Sequence, residues 1–161
     1  MKKAISSVAL IAVLIYLTGC IYESSVPIDE PSVKVSPKLL FTWGESGGDT
    51  YKFSRADDYT YTIDVTHTGT KKPEKLMAYA SIVDDKTFLN VWDSKKKPTN
   101  RSYLLLKIKL LSDSTLMVMP LTENIREKFT SSADLKKFIS ENMEHSFFYE
   151  KDSEFKRIKT K

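Results

Sequence analysis

From Leu39 onward the dominant hydrophobic period is two, and this alternation restricts the fold more than any other feature of the chain. In "DYTYTIDVT", Tyr59, Tyr61, Ile63 and Val65 fall on one face of an extended backbone, while Thr60, Thr62, Asp64 and Thr66 fall on the other. That pattern predicts a half-buried strand with one wet face. "TYKFSR" precedes it with Tyr51 and Phe53 on one face, and Ala56-Asp57-Asp58 reads as the turn between the two. Strands over 75–83 and 87–93 follow around a turn at Asp84-Asp85-Lys86. After a basic loop, strands over 103–111 and 115–121 flank Ser112-Asp113-Ser114, with Leu104, Leu106, Ile108 and Leu110 on one face. Pro120 sits near a strand end, where a missing amide donor does least harm. With "LLFTW" at 39–43, "SFFYEK" at 146–151 and "EFKRIK" at 154–159, the count is about nine strands joined mostly by tight turns.

One segment breaks this period. Ile125 and Phe129 stand at helical spacing, and Leu135, Phe138, Ile139 and Met143 follow the i, i+3, i+4, i+8 pattern of an amphipathic helix. Ser131 and Asp134 resemble a capping box, with aspartate in place of glutamate. The expected fold is therefore mainly β: an antiparallel meander closing into a small barrel, with one or two helices near residues 123–143. Closure removes exposed sheet edges; a β-sandwich is the alternative.

The N-terminus has a different character. Lys2 and Lys3 precede a largely apolar run over 4–17, about 14 residues and short of the roughly 20 that a spanning helix needs. The run ends in Leu17-Thr18-Gly19-Cys20, which resembles the lipobox of bacterial lipoprotein precursors. The resemblance implies a signal peptide over 1–19, cleavage before Cys20, a diacylglyceryl thioether on its thiol and an N-acyl chain on its new amino group. An uncleaved membrane anchor is the alternative. Cys20 is thus the expected lipidation site, and no cofactor is expected beyond these covalent lipid groups. The implied location is the cell envelope, with the membrane as partner through the lipid anchor. In enteric bacteria an aspartate after the cysteine is associated with inner-membrane retention; Ile21 stands there instead, so the outer membrane is implied in a host that has one.

Residues 20–38 read as the lipidated cysteine and a flexible tether, with Pro27, Pro31 and Pro37 and too little periodic apolar surface for a core. Residues 39–161 then form a single β-rich domain of about 120 residues, a size that supports one core. Loss of Lys2 and Lys3 lowers the formal charge from +4 to +2, and Cys20 is the only cysteine, so no disulfide contributes. Near-neutral charge and export exclude nucleic acid as a partner.

Trp43 on the first strand, the meander and the late helix resemble the calycin group of lipocalins and related barrels. Lipocalins carry Gly-x-Trp there; this chain has Phe41-Thr42-Trp43 and lacks the glycine. The resemblance implies a late basic residue covering the tryptophan, a place that Arg157 suits.

Chemistry-bearing residues are sparse. His67 and His145 lie in separate polar stretches without metal-ligand spacing. Asp57-Asp58 and Asp84-Asp85 are explained by turns, and Asp29-Glu30 is an adjacent pair without calcium-loop spacing. "GESGGD" at 44–49 is neither a nucleophile elbow nor a phosphate loop, and reads as a flexible connection. The chain is accordingly read as non-enzymatic: a binding or interaction module for an envelope protein or lipid, or a carrier of a small apolar ligand. Tyr51, Phe53, Tyr59 and Tyr61 are the candidate lining of a barrel cavity, with core packing as the plainer account. Lys95, Lys96 and Lys97, like the Lys71-Lys72-Pro73 loop, are candidates for contact with an anionic surface, or simply solvated loop lysines.

Overall fold

A computed structural model describes residues 21–70 and 73–159. The lipobox residues, Cys20, Lys71 and Lys72 lie outside them. The described elements are β1 (Glu23–Ser24), β2 (Thr42–Gly44), β3 (Thr50–Arg55), β4 (Thr60–Thr66), β5 (Glu74–Val83), β6 (Lys86–Asp93), β7 (Tyr103–Ser112), β8 (Thr115–Pro120), α1 (Ser132–Asn142) and β9 (Ser153–Arg157).

β2 to β9 form a closed antiparallel barrel of eight strands. Each pairs with its neighbour in sequence, and β9 closes the ring by pairing with β2 through Trp43↔Arg157. The expected mainly β barrel is what forms, not a sandwich. The turns follow local chemistry. Asp84 and Asp85 have φ of 43° and 69°, the left-handed pair that a two-residue hairpin turn requires. Asp57 Oδ1 accepts the backbone N–H of Tyr59 and of Thr60, each at 2.8 Å. Gly48, at φ +92°, provides the reversal between β2 and β3.

Alternation sorts the apolar residues into two cores on opposite faces of the same sheet. Trp43, Phe53, Tyr61, Ile63, Leu89, Val91 and Leu116 pack inside the barrel. Phe88, Leu105, Leu121, Leu135, Ile139 and Phe148 pack outside it, where α1 lies on the wall. β6 is buried on both faces for this reason. The Ser131 hydroxyl accepts the Asp134 N–H at 3.2 Å and fixes the start of α1, as the capping signature suggested.

Of the one or two helices expected near residues 123–143, one forms, and one of the last two expected strands does not. Residues 123–130 form no helix, because their backbone is used elsewhere: Tyr22 Oη–H donates to Glu127 C=O at 2.9 Å, and Ser25 Oγ–H to Phe129 C=O at 3.0 Å. Ser146–Phe148 is a 3-10 turn rather than a strand. It directs Phe148 into the outer core while leaving Phe147 71% exposed.

The larger correction concerns the tether. Residues 21–38 are a strap bound to the barrel, not a free linker. β1 pairs with β7 beyond the end of β8. Tyr22, Ile28 and Val35 are buried. The Ile28 N–H donates to Asn90 Oδ1 at 2.8 Å, Tyr79 Oη–H donates to Asp29 C=O at 2.6 Å, and Lys136 Nζ meets Asp29 Oδ2 at 2.8 Å. Farther along, Val35 N–H donates to Asp58 C=O at 2.8 Å and Ser36 N–H to Tyr61 Oη at 2.7 Å. The prolines favour the extended path that this route needs.

Candidate functional site: an apolar cavity open at one end

Because consecutive strands run antiparallel, their connections alternate between the two ends of the barrel. The turns β3–β4, β5–β6 and β7–β8 lie at one end, which the strap closes. The 3-10 turn Pro37–Leu39 crosses there, with Val35 and Leu39 buried. Trp43 is fully buried and donates Nε1–H to Leu39 C=O at 3.0 Å. Arg157 pairs in register with Trp43, yet its guanidinium lies over Phe41, 3.3 Å from the ring centroid. Phe41 in turn meets Trp43 edge-on at 6.4 Å. The basic residue thus covers the tryptophan's neighbour. A wide cleft outside this end, about 660 Å³, runs between Leu40, Phe41, Asp113 and Arg157.

The opposite end is open. A cavity of about 440 Å³ descends between Tyr51, Phe53, Leu104, Leu106, Ile108, Leu116, Val118 and Phe155. Ile21, Glu45, Pro120, Glu150, Lys151 and Ser153 line it nearer the mouth. The wall is apolar because the inward positions of β3, β7, β8 and β9 alternate with outward ones, and the rim residues come from strand ends and the segments that flank them. Glu45 ties the rim together: its carboxylate accepts from Tyr51 Oη–H at 3.3 Å and from Ser153 Oγ–H at 3.2 Å. The Tyr51 phenol is pushed well above its ordinary range, first by burial and then by the Glu45 charge, so it remains a donor. Glu150 accepts from Thr122 Oγ1–H at 2.8 Å and from the Glu123 N–H at 3.1 Å.

The four aromatic candidates separate. Tyr51 and Phe53 line the cavity, and Tyr51 stacks on Phe155 at 4.8 Å. Tyr61 is inside the barrel but toward the closed end, where it meets Phe53 edge-on at 6.0 Å and lines a smaller space of about 160 Å³. Tyr59 precedes β4 and is 38% exposed on a closed-end turn, so it lines neither space. Most of the wall is aliphatic instead. Its β7 members were visible as one face of "YLLLKIKLL", though nothing marked that face as lining a void.

Lys95, Lys96 and Lys97 are exposed on the β6–β7 connection, at the open end. Asp93 shapes that turn, its Oδ1 accepting the Lys95 N–H at 2.9 Å. His67, also at this end, meets Asp49 at 2.7 Å and Glu74 at 3.6 Å. The hydrogen bond to Asp49 raises the imidazole pKa, while the Thr68 N–H and then His67 lower that of Asp49. His145 follows α1 and stacks on exposed Phe147 at 5.0 Å. Among the described residues, no group of three His, Cys, Asp or Glu is arranged to hold a metal ion, and no helix is long and apolar enough to cross a membrane.

No family profile, curated protein or solved structure matches the chain. The fold and the site therefore define its class: a closed antiparallel barrel with an apolar cavity open at one end.

Proposed function

We propose that the chain is a lipid-anchored protein of the bacterial cell envelope that holds an apolar ligand of acyl-chain character in its barrel and catalyses no reaction. The cavity carries this reading. Its volume of about 440 Å³ lies in the range of small-molecule sites, about 300–1,000 Å³. Its wall offers a straight-chain ligand about 0.8 kcal/mol per buried methylene, and polar groups are confined to the rim. The same cavity favours a carrier over an interaction module with a filled core. The lipobox supports the anchor, with diacylglycerol and an N-acyl chain on Cys20 and an outer-membrane location where the host has one. The likeness to calycins adds an analogy of architecture only.

Titration of the purified protein with the fluorescent fatty acid cis-parinarate tests the cavity. Saturable binding is expected, and Leu106→Trp, which places an indole on the cavity wall beside its cross-strand partner Pro120, is expected to abolish it. Absence of binding, or binding unchanged by Leu106→Trp in a folded variant, refutes the reading. Cys20→Ala is expected to release the protein from membranes; unchanged retention and size refute the anchor.

A further inference from the structure

We infer that the open end of the barrel rests directly on an anionic bilayer and that the cavity takes its occupant, an acyl chain of a bilayer phospholipid, from that membrane. This inference rests on the ligand and anchor reading above and adds the source of the ligand and the face that meets it.

The strap has no slack at the mouth of the barrel. The strap is fixed from its first described residue: Ile21 bridges Thr122, and the Tyr22 N–H donates to Leu121 C=O at 3.2 Å. Ile21 itself lines the cavity. β8 takes up the pairing with β7 at Leu106↔Pro120, which ends the edge that β1 uses. Cys20 is one backbone step from Ile21, about 3.8 Å between Cα atoms. A lipid on Cys20 therefore holds the mouth beside the headgroups, whereas a free tether of 18 residues would have let the barrel tumble.

Three exposed lysines give the open end an attraction for a negative surface. Lys95, Lys96 and Lys97 are exposed at the open end, and none has a carboxylate partner among the described residues. Three carboxylates near the mouth keep their charge but are turned toward protein donors: Glu45 toward Tyr51 and Ser153, Glu150 toward Thr122 and Glu123, and Asp49 toward Thr68 and His67. Each of these lysines near the headgroups adds about 1 kcal/mol of attraction to a negative surface. Lys151, exposed beside the mouth, suits the phosphate of a lipid whose chain has entered.

The chain has a single native cysteine, at the anchor, so introduced thiols can be labelled selectively. Thr99→Cys reports the open end and Ala56→Cys the closed end; both positions are exposed. The processed full-length protein, labelled with bimane, is reconstituted in vesicles of phosphatidylethanolamine and phosphatidylglycerol that contain a doxyl-labelled lipid. Quenching is expected to be several-fold stronger at residue 99 than at 56. A flexible Gly-Ser spacer between Cys20 and Ile21 is expected to erase that difference and to reduce the phospholipid that co-purifies. Equal quenching at both sites, or stronger quenching at 56, overturns the orientation even if cis-parinarate still binds. A retained difference in quenching, with spacer and parent chains carrying equal phospholipid, overturns direct capture. Loss of cis-parinarate binding alone counts against the cavity reading and leaves the orientation standing.

Discussion

Ile28→Ala separates a structural strap from a tether. Ile28 is fully buried in the outer core, in a cluster with Val83, Phe88, Leu105, Leu135 and Ile139. Its N–H is held by Asn90 Oδ1, a bond that alanine retains, so the substitution isolates side-chain burial. Truncating a buried isoleucine costs about 2–5 kcal/mol, and the cluster here draws on β5, β6, β7 and α1, which limits collapse into the gap. With a urea m-value of about 2 kcal/mol/M, a loss of about 3 kcal/mol lowers the unfolding midpoint by about 1.5 M. Trp43, inside the barrel, and Trp92, edge-on against Tyr79, report the transition by fluorescence. Glu30→Ala, an exposed change two residues on, is expected to stay within about 0.5 kcal/mol of the parent protein. If Ile28→Ala shifts the midpoint no more than Glu30→Ala does, the strap is not part of the folded unit.

Asn90 is fully buried and joins the strap to the wall, accepting from Ile28 N–H and donating to Ser81 Oγ at 2.8 Å. Asn90→Ala leaves the buried Ile28 N–H without its acceptor, while the Ser81 hydroxyl still donates to Asp29, and is expected to cost about 1–3 kcal/mol, measured by the same titration; a loss under about 0.5 kcal/mol contradicts the assignment. The His67–Asp49 pair makes stability depend on pH with a defined sign. The folded imidazole pKa is raised, so its contribution is complete below the unfolded value of 6.5 and is lost as pH rises through the folded value. The Asp49 pKa is lowered, so its contribution is complete above 3.8 and is lost as pH falls through the folded value. The parent protein should exceed His67→Gln most near pH 5, by a small margin because the pair is part-exposed and screened. A difference that grows toward pH 8 refutes the pairing.

The sequence made β3 to β8 legible because each strand has one inward and one outward face, and because Asp57, Asp84 and Asp85 carry turn chemistry. It also showed the cap of α1 at Ser131. The strap was illegible for a physical reason. Tyr22, Ile28 and Val35 are spaced with no period, and each is buried against a surface that exists only after the barrel has closed. The 3-10 turn at Ser146–Phe148 was hidden in a run of aromatics that also reads as extended chain. Alternation identified the inward face of the β3–β4 hairpin, but not its depth within the barrel. Tyr51 and Phe53 reach the cavity, Tyr61 packs toward the closed end, and Tyr59 falls just before β4. Above all, period two shows which side is inside without showing whether that inside is filled.

The most direct test of a ligand-holding barrel is native mass spectrometry of the full-length protein purified from membranes, beside Leu106→Trp prepared in the same way. The account predicts an additional mass in the parent protein that dissociates as a phospholipid or fatty acid, and its loss in Leu106→Trp while the covalent lipid on Cys20 remains. A parent protein that carries no releasable apolar molecule, with its barrel intact, contradicts it.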